Sequence, residues 1–175
     1  MDFKESRNGS NHFGREICPW TRGIYDAECK FSDAIVEMLD QATSQSVKSL
    51  LQQQMSEGKQ QISNLEQVYE ILSQIAEREK SDGAAGMVKE GQKLIEAAVD
   101  SPALLELTIA NTALKMKYYE IASYRGMIAE AQLMNQTEIS QLLQQNLQQE
   151  EQMARKIEHD MHVLVQQSQS RAALA

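Results

Sequence analysis

A long interval with almost no glycine or proline is the feature that most constrains the fold of this chain. Between Ile24 and Asp82 the only residue of either kind is Gly58. A β-sandwich or barrel would need turn residues roughly every 8–12 positions. The 21 glutamines and the many Ala, Leu, Glu and Met residues instead favour helix. The sequence therefore predicts an all-α fold and excludes all-β and α/β folds.

Apolar residues recur at three- and four-residue steps in four long segments, which predict four amphipathic helices. The first two are predicted from about Pro19 to a break near residue 43, and from there to about Lys80. The other two begin at Pro102 and just after Asn135, and a shorter amphipathic stretch precedes them. Short turns make each pair an antiparallel hairpin. One long connection with a short helix in the crossover predicts a ferritin-like four-helix bundle.

Charge and composition also limit the partners that we expect. A net charge of −8 argues against nucleic-acid binding, which needs clustered Lys and Arg. No window approaches the roughly 18 apolar residues of a membrane span. Cys18 and Cys29 are expected to be separate reduced thiols of a cytoplasmic protein. We expect a flexible N-terminal tail, a bundle domain and a frayed C-terminus, at residues 1–16, 17–168 and 169–175.

Four glutamates interrupt the apolar stripes. Glu28, Glu120 and Glu150 fall near the middle of the buried faces of their helices, and Glu57 falls toward the edge of its face. Each hairpin carries two of them equidistant from its turn, and therefore at matched height. Oxygen ligands from four helices suit Fe, Mn, Mg or Ca. The alternative is that these glutamates reach the solvent edge or are held by Tyr, Gln and Lys side chains.

Three motifs resemble the YciE/YciF-like family of stress proteins. Residues 24–28 (IYDAE) resemble the opening of its first helix, and residues 119–124 (YEIASY) resemble its third-helix signature. Glu150-Glu151 is similar to its acidic fourth-helix motif. The similarity extends over about residues 17–165. It implies a ferritin-like bundle, often a homodimer, linked to bacterial stress responses, with carboxylates and sometimes histidine at di-iron positions.

The histidines of a ferritin-like di-iron site are missing from this chain. Such sites use Glu-x-x-His on two helices, but Gln60 and Met153 stand three residues after Glu57 and Glu150. Gln61 occupies a position where the resemblance implies a frequent histidine. These three residues are expected beside the site, and loss of imidazole weakens affinity for Fe(II) in particular. The histidines that are present are predicted to lie in the tail or on an outer helix face: His12, His159 and His162.

Other polar residues near the glutamates have two interpretations. Tyr25 and Tyr124 could each donate a hydrogen bond to a buried carboxylate, or pack with the hydroxyl in water. By helical phase, Lys59 and Lys117 are predicted to point outward. The glutamine-rich run at residues 144–149 is predicted to be a solvated helix face.

Three functions remain open on these grounds. The first is a ferritin-like, stress-associated protein with a degenerate carboxylate site that binds divalent metal weakly or not at all and is non-catalytic. The second is a di-iron or di-manganese oxidase or ferroxidase that holds Fe or Mn with Glu28, Glu57, Glu120 and Glu150. The third is a structural homodimer that acts through a protein partner. The missing histidines favour the first.

Overall fold

The computed structural model describes residues 19–172 of the chain, and the side chains of residues 23–166 within them. The predicted tail at residues 1–16, with His12, lies outside the described residues, as do Cys18 and residues 173–175. No strand occurs in the described part, and the predicted all-α fold is confirmed. It contains five helices: α1 (Pro19–Gln41), α2 (Gln45–Ile71), α3 (Asp82–Ala98), α4 (Pro102–Leu133) and α5 (Thr137–Ala172).

The four long helices form two antiparallel hairpins that pack against each other. Residues 42–44 join α1 to α2, and residues 134–136 join α4 to α5. Across the hairpins, α2 packs on α5 and α1 packs on α4. The short helix α3 lies in the crossover and packs against both α1 and α4. The predicted positions of both turns and of the crossover helix are thereby confirmed.

The end of α2 differs from the prediction, which continued this helix to about Lys80. The helix ends at Ile71, and Ser73 adopts a left-handed conformation with φ of 54°. The following segment, up to Ser81, has no regular secondary structure, and Asp26 of α1 binds it. The Asp26 carboxylate pairs with Arg78 at 3.2 Å and accepts a 2.8 Å hydrogen bond from the Ser81 backbone N–H. Tertiary contacts therefore override a local sequence that favours helix.

Asn135 closes α4 and does not cap α5. Its φ of 56° is left-handed, a conformation that asparagine tolerates better than most residues. The Gln136 N–H then donates to the Ala131 carbonyl at 2.8 Å, a hydrogen bond typical of a helix C-terminus. The chain thus reverses direction in three residues, and α5 begins at Thr137.

The core lies between the four long helices and is mainly aliphatic, with the buried aromatic rings of Phe31, Tyr69 and Tyr124. Within residues 19–172, no helix combines the length and apolar character that a membrane span requires. The side chains that are least exposed to solvent come from all five helices, and include Ile24, Leu51, Leu65, Ile95, Ile109, Met116, Tyr124, Leu143, Met153 and Ile157.

Glu106 of α4 binds the two residues that immediately precede α2. Its Oε1 accepts hydrogen bonds from the backbone N–H groups of Thr43 and Ser44 at 2.5 and 3.0 Å. It also accepts a 2.8 Å hydrogen bond from the Thr43 hydroxyl. The Ser44 side chain makes no capping hydrogen bond itself, so a distant glutamate satisfies donors that a local residue would normally satisfy.

We expect Glu106→Ala to lower the free energy of unfolding by about 1–2 kcal/mol, because it leaves these N–H groups without an acceptor. Glu106→Gln keeps an acceptor oxygen and should lose much less. Urea denaturation of both variants checks this. Equal losses would mean that charge, and not the capping hydrogen bonds, is what Glu106 contributes.

Gly91 allows α3 to approach α4 closely. A Cβ atom at this position would lie 2.3 Å from Cγ2 of Thr112, which is itself buried. Gly86, on the exposed side of the same helix, has no heavy atom within 4 Å of the equivalent position. The sequence requirement for glycine at residue 91 is therefore steric.

Gly91→Ala should destabilise the protein by about 1–3 kcal/mol through overpacking, despite the better helix propensity of alanine. Gly86→Ala provides the matched control and should raise stability by up to about 1 kcal/mol. Thermal unfolding of the pair measures both effects. A gain at both positions would contradict the close packing of α3 on α4.

Candidate functional site

Three of the four predicted glutamates meet in the middle of the bundle. Glu28 comes from α1, Glu120 from α4 and Glu150 from α5, and their side chains are all at most 2% exposed. One carboxylate oxygen from each lies within 4.8 Å of the others. The predicted inward orientation of these three residues is confirmed. Their oxygens form a group that could hold a metal ion.

Lys117 of α4 lies inside this cluster, and the prediction that it points outward is wrong. Its Nζ is 2.6 Å from Glu120 Oε2 and 2.8 Å from Glu150 Oε2. It also donates a 3.0 Å hydrogen bond to Glu150 Oε1. The prediction assumed a narrow buried stripe on α4. In the structure α4 packs against each of the other four described helices, so positions beside that stripe are buried too.

Burial and mutual repulsion change the acidity of the cluster. Burial, followed by the negative charge of Glu150, raises the pKa of Glu28 to about 7, although Lys117 and a hydrogen bond from Tyr124 oppose this. Burial and the charge of Glu150 also hold the pKa of Glu120 well above its usual range. Burial alone would lower the pKa of Lys117, but the three surrounding carboxylates outweigh it and raise that pKa. The ammonium form of Lys117 is therefore favoured, and the protonated forms of Glu28 and Glu120 are favoured more than those of exposed glutamates.

A buried hydrogen-bond chain connects the cluster to α2. The Tyr124 hydroxyl donates to Glu28 Oε1 and accepts a 3.0 Å hydrogen bond from Asn146 Nδ2. Asn146 Nδ2 also donates to the Gln61 carbonyl at 3.1 Å, and its Oδ1 accepts from Asn64 at 2.7 Å. Of the two interpretations of Tyr124, the hydrogen bond to a buried carboxylate is correct. Burial and the nearby Glu28 raise the pKa of Tyr124, so the phenol keeps the proton that it donates.

Glu57, the fourth predicted ligand, is not brought into the cluster. It is half-buried on α2 and accepts a 2.6 Å hydrogen bond from Gln53, one turn earlier. The centre of the inner face of α2 is occupied by Gln54, Gly58 and Gln61, which are all buried. The sequence already placed Glu57 at the edge of the apolar face of α2, and this position indicated that its side chain would lie away from the centre of the bundle.

Tyr25 and Gln60 do not contact the cluster. The Tyr25 hydroxyl donates to Glu66 at 3.0 Å in an exposed hydrogen bond, and its ring packs edge-on against Tyr69 at 5.8 Å. Gln60 is exposed and donates to Asn64 Oδ1 at 2.9 Å. Of the two interpretations of Tyr25, the packing one is correct. Gln60 supports the asparagine of α2 instead of replacing a ligand.

The remaining predicted neighbours, Gln61 and Met153, are both 1% exposed. Met153 is part of the apolar core. The Gln61 side-chain amide has no hydrogen-bond partner among the described residues, although the Gln61 backbone carbonyl accepts from Asn146.

His159 and His162 are exposed, as predicted, and so is Lys59. No imidazole of the described side chains therefore reaches the carboxylates.

Sequence reasoning missed Asn146 because it lies in the glutamine-rich run predicted to be solvated. The run is not uniform: Asn146 is 0% exposed, whereas Gln144, Gln145 and Gln148 are exposed. Asn146 precedes Glu150 by four residues, which places both on one helix face. That spacing was the available signal for an inward asparagine.

The chain matches a known protein family over most of its length. The family model "Domain of unknown function (DUF892)" matches residues 18–170, and the chain belongs to this family. A comparison with curated proteins gives no match.

Solved structures with similar folds come from several bacteria. YcfI from Rhodopseudomonas palustris is 25% identical with a TM-score of 0.78, covering 90% of this chain and 98% of its own. The E. coli stress protein YciF is 20% identical with a TM-score of 0.80, covering 92% and 99% respectively. A protein from Xanthomonas campestris pv. campestris is 18% identical with a TM-score of 0.69, covering 93% and 97%. The predicted resemblance to YciF-like proteins is thus confirmed in family and fold.

The pKa of Glu28 predicts how stability depends on pH. The folded-state pKa of about 7 exceeds the ordinary value of 4.5 for glutamate, so the folded protein retains a proton that the unfolded chain releases between these two pH values. The free energy of unfolding should therefore fall by about 3 kcal/mol from this group as pH rises from 4.5 to 7. Glu28→Gln should remove this decrease, as measured by urea denaturation across the range. Glu57→Gln is the control and should keep it; identical profiles for wild type and Glu28→Gln would contradict the assignment.

Proposed function

We propose that this member of the DUF892 family is a ferritin-like, stress-associated protein. It is non-catalytic, and its carboxylate site binds divalent metal weakly or not at all. Its carboxylate site is neutralised from within by a lysine. The observation that carries this proposal is the position of Lys117 Nζ, 2.6 and 2.8 Å from oxygens of Glu120 and Glu150 in the interior. An ammonium ion thus occupies the place among the carboxylates where a metal cation would bind.

Charge balance explains why this arrangement opposes metal binding. Three buried carboxylates need protons or cations, because uncompensated charge in the interior is very unfavourable. Lys117 supplies one positive charge, and raised pKa values keep protons on Glu28 and Glu120. A divalent ion bound to the same oxygens would have to displace both the ammonium and these protons. The apo site is therefore already compensated.

The ligand set also fits a redox iron site poorly. Ferritin-like di-iron sites combine glutamates from four helices with two histidines. Here α2 contributes no carboxylate to the cluster, and Met153 is an apolar core residue. The three carboxylates fit a single hard divalent ion, such as Mn²⁺ or Mg²⁺, once Lys117 is removed. Weak divalent-metal binding is thus the most that we propose for the native site.

The biological context in this proposal comes from the family resemblance. One structure with the same fold is described as a stress protein of E. coli. We propose a stress-associated role, a cytoplasmic location and a homodimer for this chain on that basis. Sedimentation velocity on the purified full chain tests the homodimer directly, and a monomer at micromolar concentration would contradict it.

The alternative is a di-iron or di-manganese oxidase or ferroxidase in which Fe or Mn binds the glutamates alone. The close approach of three buried carboxylate oxygens supports this alternative. It requires Lys117 to leave the cluster when metal binds. The two functions therefore differ in what removal of the Lys117 ammonium should do to metal affinity.

Lys117→Met should create a metal site that the wild type lacks or binds only weakly. The variant keeps the buried apolar stem but removes the ammonium, so we expect Mn²⁺ affinity to increase at least about tenfold, equivalent to about 1.4 kcal/mol. Isothermal titration with Mn²⁺ and a rise in melting temperature on adding Mn²⁺ measure this. Lys115→Met, an exposed lysine two residues earlier that pairs with Glu90, is the matched control.

The opposite result would favour the enzyme. If the wild type purified from cells grown with iron and manganese carries one or two metals per chain, and Lys117→Met does not bind more tightly, then the proposed function is wrong. Oxygen consumption on adding Fe(II) to that wild-type protein would then identify the oxidase or ferroxidase.

A further inference from the structure

The interior of the bundle is open beside Gly58. This glycine lies in the middle of α2 and is buried. A methyl group built on it would have no heavy atom within 4 Å. At Gly91, the buried glycine of α3, the same methyl would meet Thr112 at 2.3 Å. Protein cores are normally packed as densely as organic crystals, so open space at a buried residue needs an explanation.

Two buried glutamines lie on the same face of α2 as Gly58. Gln54 and Gln61 lie four residues before and three residues after Gly58, which places all three on one face of α2. They are only 4% and 1% exposed. The Oε1 and Nε2 atoms of both amides have no hydrogen-bond partner among the described residues. Primary amides are rarely buried in this state, because nothing compensates the loss of their hydration.

The pairing of α2 with α5 locates the space along the bundle. Asn64 of α2 binds Asn146 of α5, and Gln53 of α2 binds Lys156 of α5. Because the two helices are antiparallel, Gly58, about midway between the α2 residues, is level with α5 residues 150–152. The space is therefore at the height of Glu150 and of the carboxylate cluster. Glu120 Oε1 of that cluster also has no hydrogen-bond partner.

The Gln54 and Gln61 amides indicate which kind of molecule can bind in this space. Each amide offers N–H donors as well as an acceptor oxygen, so a molecule that both donates and accepts can bind all of these atoms, whereas a cation would bind only the oxygens. An apolar occupant would leave the amides unpartnered. Buried water typically makes about three hydrogen bonds to polar groups of this kind. We propose that Gln54, Gly58 and Gln61 form an internal binding site for water on the α2 side of the carboxylate cluster.

This site is separate from the proposed role of Lys117, since it depends on residues of α2 alone. Substitutions at Gly58 test it without changing any residue of the carboxylate cluster. Gly86 provides the control, because a side chain there also meets no heavy atom within 4 Å but faces solvent. Each position is changed to alanine and to serine, and the melting temperature of the full chain is measured.

At Gly86 the serine variant should melt below the alanine variant, because serine has the lower helix propensity. At Gly58 the order should reverse, with serine about 1–3 °C above alanine. The serine hydroxyl can replace a displaced water and bind the amides, whereas the alanine methyl displaces the water without replacing its hydrogen bonds. The same order and size of difference at both positions would overturn the proposal. Failure of Gly58→Ala to fold would overturn it too, since the space would not be open.

A high-resolution crystal structure of the wild-type chain gives a second test that does not depend on stability. Ordered water within hydrogen-bond distance of the Gln54 and Gln61 amides is the expected result. In the Gly58→Ser structure, the hydroxyl should take the place of at least one of these waters. A dry space, or amides that turn to bind each other, would overturn the proposal.

Discussion

The buried ion pair between Lys117 and the glutamates is the interaction on which the arrangement of the helices depends. Burying four ionisable groups is tolerated only where their charges are matched at short range. Glu28, Glu120 and Glu150 come from three different helices, and the Tyr124–Asn146 chain extends the contact to the fourth. A shift of any helix by one turn would leave a charge or a polar group unpartnered. The cluster therefore specifies the register of the bundle, even if it adds little net stability.

Acidic side chains also bind backbone N–H groups at both ends of the bundle. Glu106 caps α2 at one end, and Asp26 holds the segment before α3 at the other. At Asp26, burial raises the pKa, but the hydrogen bonds from Lys30, Ser81 and Arg78 outweigh it, and the net shift is downward. In the central cluster the balance is reversed, because burial and like charges dominate there. The Asp26 carboxyl is thus held ionised at one end of the bundle, whereas Glu28 and Glu120 in the middle bind protons more readily than exposed glutamates do.

Helical period and turn position predicted the all-α bundle, both hairpin turns and the inward placement of Glu28, Glu120 and Glu150, because these follow from local spacing. They did not predict the burial of Lys117, since that depends on how many neighbours α4 has. The early end of α2 was missed for a related reason. Residues 72–80 contain no glycine or proline, and the contacts of Arg78 and Ser81 with the distant Asp26 are not visible in the local sequence. The sequence thus predicts local conformation well, but it does not show which residues distant in the chain contact each other.

A lysine within a carboxylate cluster changes what such a site can do. In a metal centre without its ion, the charges of the ligands are not compensated. Metal binding and folding are therefore coupled. In this protein Lys117 and the retained protons supply that charge, and the packed bundle needs no ion to complete it. The cluster still responds to its surroundings, because a glutamate with a pKa of about 7 changes its charge near neutral pH. The cluster therefore combines the geometry of a carboxylate site with glutamates that bind protons near neutral pH.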